Sequence, residues 1–400
     1  MSDAILPVYG PAQVVLERGE GVRLFDDKGK EYLDFIGGIA VTSLGHHHPA
    51  LVNALKEQAD KVWHLSNMFR IPGQERLAER YCNECFADKV FFTNSGSEAI
   101  ELSLKLARRW QWANGHEERI GFISFHGSFH GRTMGAINVG AQEKYREGFG
   151  PRMEGFRSLE WGDHEALKEE ITKPDVAAVM IEPVQGEGGV REVPHQCLQG
   201  LRKLCDENGV LLIYDEVQCG AGRTGKLFHH QWIEGAEPDI MAVAKGIGGG
   251  FPLGACLATE DAASGMKPGT HGTTYGGNPL AMAVGNAVLD VVLADGFLEE
   301  VQKKGLLLKQ KLAGVVDGHP AVFEDLRGKG LMLGLKCRVT NTDLLARFRE
   351  AGVLAVGAGD NVLRIMPPLT ITEAEIEEAV SRIEQAATAM ESGLERGAAE

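Results

Sequence analysis

The sequence predicts an α/β fold, with a large domain built on a mainly parallel central sheet and a small α+β domain drawn from both chain ends. Three observations carry this. Between about 75 and 260, short apolar runs alternate with segments of helical periodicity. Strands separated by helices imply a parallel sheet covered on both faces. At 400 residues the chain is long for one core, so two domains are expected. The two chain ends also read differently from the middle.

Residues 21–36 alternate around Asp27-Lys28-Gly29 as a small hairpin, with Val22 and Leu24 facing Tyr32 and Leu33. Residues 89–93 read as a strand, and 97–112 as a helix with Ile100, Leu104 and Ala107 at helical spacing. Further strands are expected at 120–125, 176–181, 210–214, 240–244 and 253–258. One long helical region, 279–315, leads to strands at 330–337 and 362–365 and a last helix. Thr372 and Glu375 have capping-box spacing at that helix's start. The tail 393–400 is expected to fray. The domain limits that follow are 1–60 for an N-terminal segment of the small domain, 61–300 for the large domain, and 301–400 for the rest of the small one.

Composition narrows the classes. With 56 acidic against 41 basic residues the net charge is −15, which argues against a nucleic-acid partner. The N-terminus shows no basic stretch followed by an apolar one, so no signal peptide is read. Apolar stretches are interrupted before they could span a bilayer; Asn286, Asp290 and Asp295 interrupt 279–297. Seven scattered cysteines suit a reducing, cytoplasmic compartment rather than a disulfide scaffold.

Three motifs sit where strands end. Thr93-Asn-Ser-Gly-Ser-Glu-Ala99 lies between a strand and a helix, where small residues and unpaired N–H groups suit a phosphate. Taken alone, capping is the better reading of such a turn. Asp215-Glu216 emerges from the apolar run 210–214, at the sheet edge where α/β ligands bind. A lone Asp-Glu pair there is more often a cap or a surface feature. Lys245 repeats the geometry, followed by Gly246-Ile-Gly-Gly-Gly250. A lysine behind a buried strand can be desolvated toward the neutral amine. Otherwise it snorkels to the surface, and the glycines favour a bulky group close to the backbone.

Together these elements, roughly 120 and 30 residues apart, supply a phosphate anchor, an anion and an amine. Pyridoxal phosphate needs all three. The stretches Asn94-Ser-Gly-Ser-Glu-Ala99, Phe129-His-Gly-Arg-Thr133, Glu182-Pro-Val-Gln-Gly-Glu187, Asp215-Glu-Val-Gln218, Ala244-Lys-Gly-Ile247, Thr273-Thr-Tyr-Gly-Gly-Asn-Pro279 and Leu363-Arg-Ile-Met-Pro-Pro368 extend the pattern. In these, over nearly its whole length, the chain resembles the class III, fold-type-I pyridoxal-phosphate aminotransferases, most nearly their acetylornithine branch.

The resemblance implies that Lys245 holds the cofactor as a Schiff base and that Asp215 pairs with its ring nitrogen. It implies that Phe129 and Val217 sandwich the ring, and that Gln218 contacts its phenolic oxygen. Glu216 belongs to the same cofactor-binding stretch. Gly96 and Ser97 would hold the phosphate, reached by Thr274 of a neighbouring subunit, which makes a homodimer the expected unit. Arg132 and Arg364 correspond to the carboxylate-binding arginines, Glu187 to the acid that pairs with Arg364, and Thr273 to a substrate-side residue. The implied reaction moves the ω-amine of an acylated ornithine to 2-oxoglutarate. Ile39 stands where ornithine-specific relatives carry tyrosine, which implies an apolar wall suited to an acylated amine.

No metal is expected. Cys82 and Cys85 lack a second pair at ligand spacing, and consecutive His46-His-His48 side chains point in different directions. Other cofactor chemistries on this fold, such as a racemase or an aminomutase, and a non-catalytic cofactor carrier are the competing classes. The intact lysine, aspartate and arginines speak against a carrier.

Overall fold

The structure, a computed structural model, describes residues 4–10 and 14–399, so the first three residues of the N-terminal reading lie outside it. Seven strands form the central sheet in the order Lys89–Thr93, Gly254–Ala258, Ile240–Val243, Leu211–Asp215, Val176–Ile181, Gly121–Phe125, Phe156–Leu159. Gly254–Ala258 runs antiparallel to both of its neighbours, and the other pairings are parallel. The edge strand Phe156–Leu159 has no counterpart in the sequence reading.

The side-chain period of two explains the layers. Leu212, Met241 and Val179 enter one apolar cluster, with Leu77 and Val284 from helices on that face. Their chain neighbours Ile213, Ala242 and Ala178 enter another, with Ile100 and Leu104 of the opposite helix Gly96–Ala113. These strands are therefore buried on both sides and read as unbroken apolar runs.

A third cluster gathers Leu33 and Phe35 from the front of the chain with Leu308, Leu333, Ile365, Ile376 and Ile383 from its end. The N-terminal segment is divided, because Leu44 and Leu51 join the large cluster instead. The small domain carries the antiparallel sheet Phe323–Lys329, Met332–Cys337, Val362–Ile365, Val356–Ala358. In it Gly334 lies opposite Arg364.

The expected helix over 279–315 is two helices, Pro279–Val292 and Phe297–Gly318, bent by 71°. Pro279–Val292 packs its apolar stripe into the large core, while Val301, Leu308 and Leu312 of the next helix face the small one. The turn lets one continuous periodicity serve two cores. Gly296 sits there at φ +80, a conformation that costs glycine nothing. The last helix runs Glu373–Ala399, so the backbone of the tail expected to fray is helical over 393–399, and Glu400 lies outside the described residues. Among the described residues, no single helix is long and apolar enough to cross a membrane.

The capping box at 372–375 forms. The Thr372 N–H donates to Glu375 Oε2 at 2.8 Å and the Glu375 N–H donates to Thr372 Oγ1 at 3.3 Å. Thr372→Ala is expected to lose about 1 kcal/mol of small-domain stability, as N-cap deletions do. A lowered urea midpoint measures this, with Thr372→Ser as the retaining control; an unchanged midpoint for alanine would show the box to be idle.

Candidate active site

Parallel strands bring their carboxyl ends to one edge of the sheet, and the reversed strand Gly254–Ala258 begins at that same edge. The turn after Thr93, the residues after Tyr214, the lysine after Ala244 and the segment before Gly254 therefore meet. They enclose a cavity of about 330 Å³ lined by Gly96, Ser97, Phe129, Asp215, Lys245 and, from the reversed strand's approach, Phe251. Val217 and Gln218 also line it.

Ser95 caps the helix Gly96–Ala113, accepting from the Glu98 N–H at 3.2 Å, so the capping reading of this turn holds and leaves the next two residues free for a ligand. Capping occupies Ser95, while Gly96 and Ser97 present the positive end of an 18-residue helix to the cavity. A Cβ at Gly96 would come within 2.9 Å of Val217 Cγ1, so a larger residue would push Val217 off its place on the wall.

Lys245 adopts φ +49, a left-handed conformation rarely tolerated by a residue with a side chain. Such strain persists only where the surroundings over-determine it. Burial pushes its ammonium below the usual lysine range, with Asp215 opposing and Arg364 adding to the fall. The amine is thereby biased toward its neutral, nucleophilic form. Asp215 is buried and accepts from the Val217 N–H at 3.0 Å. Its Oδ2 lies 2.8 Å from His130 Nδ1. Burial works against charge on His130, but the hydrogen bond and charge of Asp215 outweigh it and raise the imidazole. Glu182 accepts from the Phe129 and Gly186 N–H groups, and burial beside Asp215 pushes it up to about 7.

Arg364 is buried, and its Nη1 donates to Glu187 Oε1 at 2.6 Å and to Gln218 Oε1 at 3.1 Å. Nη2 donates to the Gly357 carbonyl at 3.0 Å. Glu187 and Arg364, 177 residues apart in sequence, thus meet as the resemblance implies. Arg132 is exposed at the mouth, its guanidinium 3.6 Å from the Tyr145 ring centroid and 5.2 Å from that of Phe129. Its backbone N–H donates to Ser97 Oγ.

Other expected residues stand elsewhere. Glu216 points away from the cavity, where its carboxylate accepts from the His229 and His230 N–H groups and from His230 Nδ1. It organises the turn behind the strand rather than touching a ligand. Thr273 and Thr274 do not line this chain's cavity; Thr273 Oγ1 accepts from the Gly276 N–H, and Thr274 is exposed. Ile39 is absent from the wall, which Val41 supplies. The three histidines do diverge: His46 Nε2 meets Asp34 at 2.7 Å, while buried His48 Nδ1 has no partner among the described residues.

Two groups were missed. Glu182 follows the wholly buried strand Val176–Ile181, the same strand-end signal that marks Asp215 and Lys245. His130 stands inside the Phe-His-Gly-Arg stretch, but nothing local announces that it reaches Asp215, 85 residues away.

A helix N-terminus for a phosphate, Asp215 for a ring nitrogen and a depressed lysine for an aldehyde share one cavity with Phe129 and Val217, so the residues fit pyridoxal phosphate. The family model "Aminotransferase class-III" matches residues 7–387. An acetylornithine aminotransferase of Mesorhizobium japonicum is 60% identical over 396 residues, 99% of this chain and 99% of the relative. That of Brucella melitensis is 58% identical, over 94% of this chain and 93% of its own length. Among solved structures, the ornithine aminotransferase of Toxoplasma gondii superposes with a TM-score of 0.93 at 32% identity, covering 98% of this chain and 94% of that one. The N-acetylornithine aminotransferase of Stenotrophomonas maltophilia gives 0.84 at 38% identity, covering 96% and 98%. With the family model spanning nearly its whole length and relatives more than half identical end to end, this chain belongs to the class-III aminotransferases.

Proposed function

We propose that the protein is a pyridoxal-phosphate-dependent transaminase that moves the ω-amino group of N2-acetylornithine to 2-oxoglutarate, or runs the reverse, in arginine biosynthesis. The observation that carries this reading is the Arg364–Glu187 pair, joined through Gln218 to the wall of the cavity that holds Lys245 and Asp215. When bound, pyridoxal phosphate supplies an aldehyde for the amino group and a ring that draws electrons from the reacting carbon.

The chain's own groups do the rest. Lys245 Nζ, its ammonium form disfavoured by burial, is the base that takes the proton from the donor's amine-bearing carbon. Asp215, backed by His130, provides the negative charge that keeps a proton on the ring nitrogen. Phe129 and Val217 would flank the ring, Gln218 would stand by its oxygen, and Gly96 and Ser97 would hold the phosphate, since all five line the cavity. Arg132 has no carboxylate partner among the described residues and grips the substrate carboxylate remote from the reacting end. Arg364 takes the second carboxylate of 2-oxoglutarate once Glu187 swings aside. While the pair stays closed, the site shows one free arginine to a donor that carries one carboxylate.

The working unit is a homodimer on this reading. Exposed Trp63, Met68, Phe69 and Tyr275 form an apolar apron beside the Thr273-Thr274 loop, tied to it by Asn67 Nδ2 donating to the Thr273 carbonyl. A second copy would cover the apron and bring Thr274 to the neighbouring site. Seven free cysteines support a cytoplasmic setting.

Lys245→Ala is expected to fold, to lose its cofactor absorbance on gel filtration, and to lose turnover by a factor of about a thousand or more. Substantial multiple turnover in that variant would remove Lys245 from the mechanism. For Arg364→Ala, the half-reaction with glutamate should fall by roughly tenfold or more relative to that with the ω-amino donor, as for one lost charge-assisted contact. Single-turnover rates of the two halves read this out, and equal damage to both would refute the division of labour. In a donor panel with 2-oxoglutarate, kcat/KM should be higher for N2-acetylornithine than for ornithine or 4-aminobutyrate. If either of those is the better donor, the acyl-donor assignment fails.

A further inference from the structure

A second cleft, of about 350 Å³, lies where the two domains meet, away from Lys245. The large domain contributes Glu192 and Trp232, and the small one contributes Lys309, Lys329 and the Gly328–Gly330 backbone. Lys329 Nζ sits 4.1 Å from the Trp232 ring centroid, and Lys226 Nζ approaches the same indole at 5.3 Å. Lys309 Nζ donates to the Gly328 carbonyl at 2.7 Å.

The charge balance is unusual for a chain of net charge −15. Among the described residues, Lys226 and Lys309 form no ion pair, and Lys329 has one acidic neighbour, Glu192, at 3.8 Å. Glu192 is itself shared, with His195 Nε2 and His229 Nε2 each 3.9 Å away. His229 is wholly buried, and among the described residues its Nε2 has no hydrogen-bond partner. Two ammonium groups therefore share one indole, and Lys309 lines the same cleft close enough to act on Lys329, with a single carboxylate beside them. Like charges so placed repel, and partial burial strengthens the repulsion. An anion relieves it.

We propose that this cleft binds a small multivalent anion, bearing phosphate or carboxylate groups, held between Lys309 and Lys329 against Trp232. Such a ligand would tie the domains together, because its partners come from both. It would also press on the strand Met332–Cys337, which begins just beyond Gly330 and pairs with the strand bearing Arg364. Direct contact between the three segments leaves little slack: a Cβ at Gly305 would lie 2.7 Å from the Gly330 backbone, and one at Gly330 2.6 Å from Thr224.

The test is calorimetric titration of the holoenzyme, whose cofactor phosphate site is filled, with pyrophosphate and separately with citrate. Lys309→Gln/Lys329→Gln is the variant, since glutamine can still donate to the Gly328 carbonyl, and its basal transamination should equal that of the parent. At least one probe should bind saturably, raise Tm, and lose roughly tenfold or more in affinity in the variant, as for lost charge-assisted contacts. Binding of pyrophosphate alone identifies the phosphate class, binding of citrate alone the carboxylate class, and either supports the site. Affinity unchanged in the variant, affinity lost instead in Arg132→Ala, or no saturable binding of either probe at millimolar concentration overturns the proposal.

Discussion

The buried carboxylate of Asp215 is the constraint around which the site is arranged. An isolated charge in such a place costs several kcal/mol, so it must be matched on every side. The Val217 N–H and His130 Nδ1 satisfy its two oxygens, and Lys245 stands near it with an ammonium form that burial disfavours and Asp215 favours. That bias is useful, because an ammonium is a good salt-bridge partner but no nucleophile. Glu182 and Arg364 complete the set. The acid rises toward neutrality beside Asp215, while the arginine is held by Glu187 and Gln218.

Placing these groups required a sheet whose strands end together. Thr93, Asp215 and Lys245 share an edge because their strands run the same way, and the reversed strand Gly254–Ala258 adds its approach at that edge. The backbone contributes its own strain. Lys245 holds a left-handed φ, and Gly96 leaves the gap that lets Val217 close on the cavity.

The small domain matters because it delivers Arg364. The arginine's strand pairs with Met332–Cys337, and Arg223 fastens that sheet to the large domain by donating to the Leu331 and Pro367 carbonyls. Arg223 is buried with no carboxylate partner among the described residues, and burial pushes it down to about 10, a cost offset by those carbonyl contacts. The bend at Gly296 hands the chain from one core to the other. The position of Arg364 thus depends on how the two domains sit, and the lysine-rich cleft lies at the same junction.

Much of this was legible in the sequence, for local reasons. Buried strands show as apolar runs, the capping box as a spacing, and Asp215 and Lys245 as charged residues closing such runs. What the tertiary structure decided is direction and partnership. Asp215 and Val217 share the cavity face while Glu216, in the turn between them, points to the opposite side. His130 lies next to Phe129 in the chain, yet only the fold brings it to Asp215. The helix break after Val292 was hidden because its apolar periodicity continues on both sides and only the core it faces changes. Val41 rather than Ile39 walls the cavity because the backbone through Ile39 and Ala40 turns left-handed, which no local pattern reveals. A sequence records which groups can carry charge or apolar surface; the crossing of distant segments determines which of them face one another.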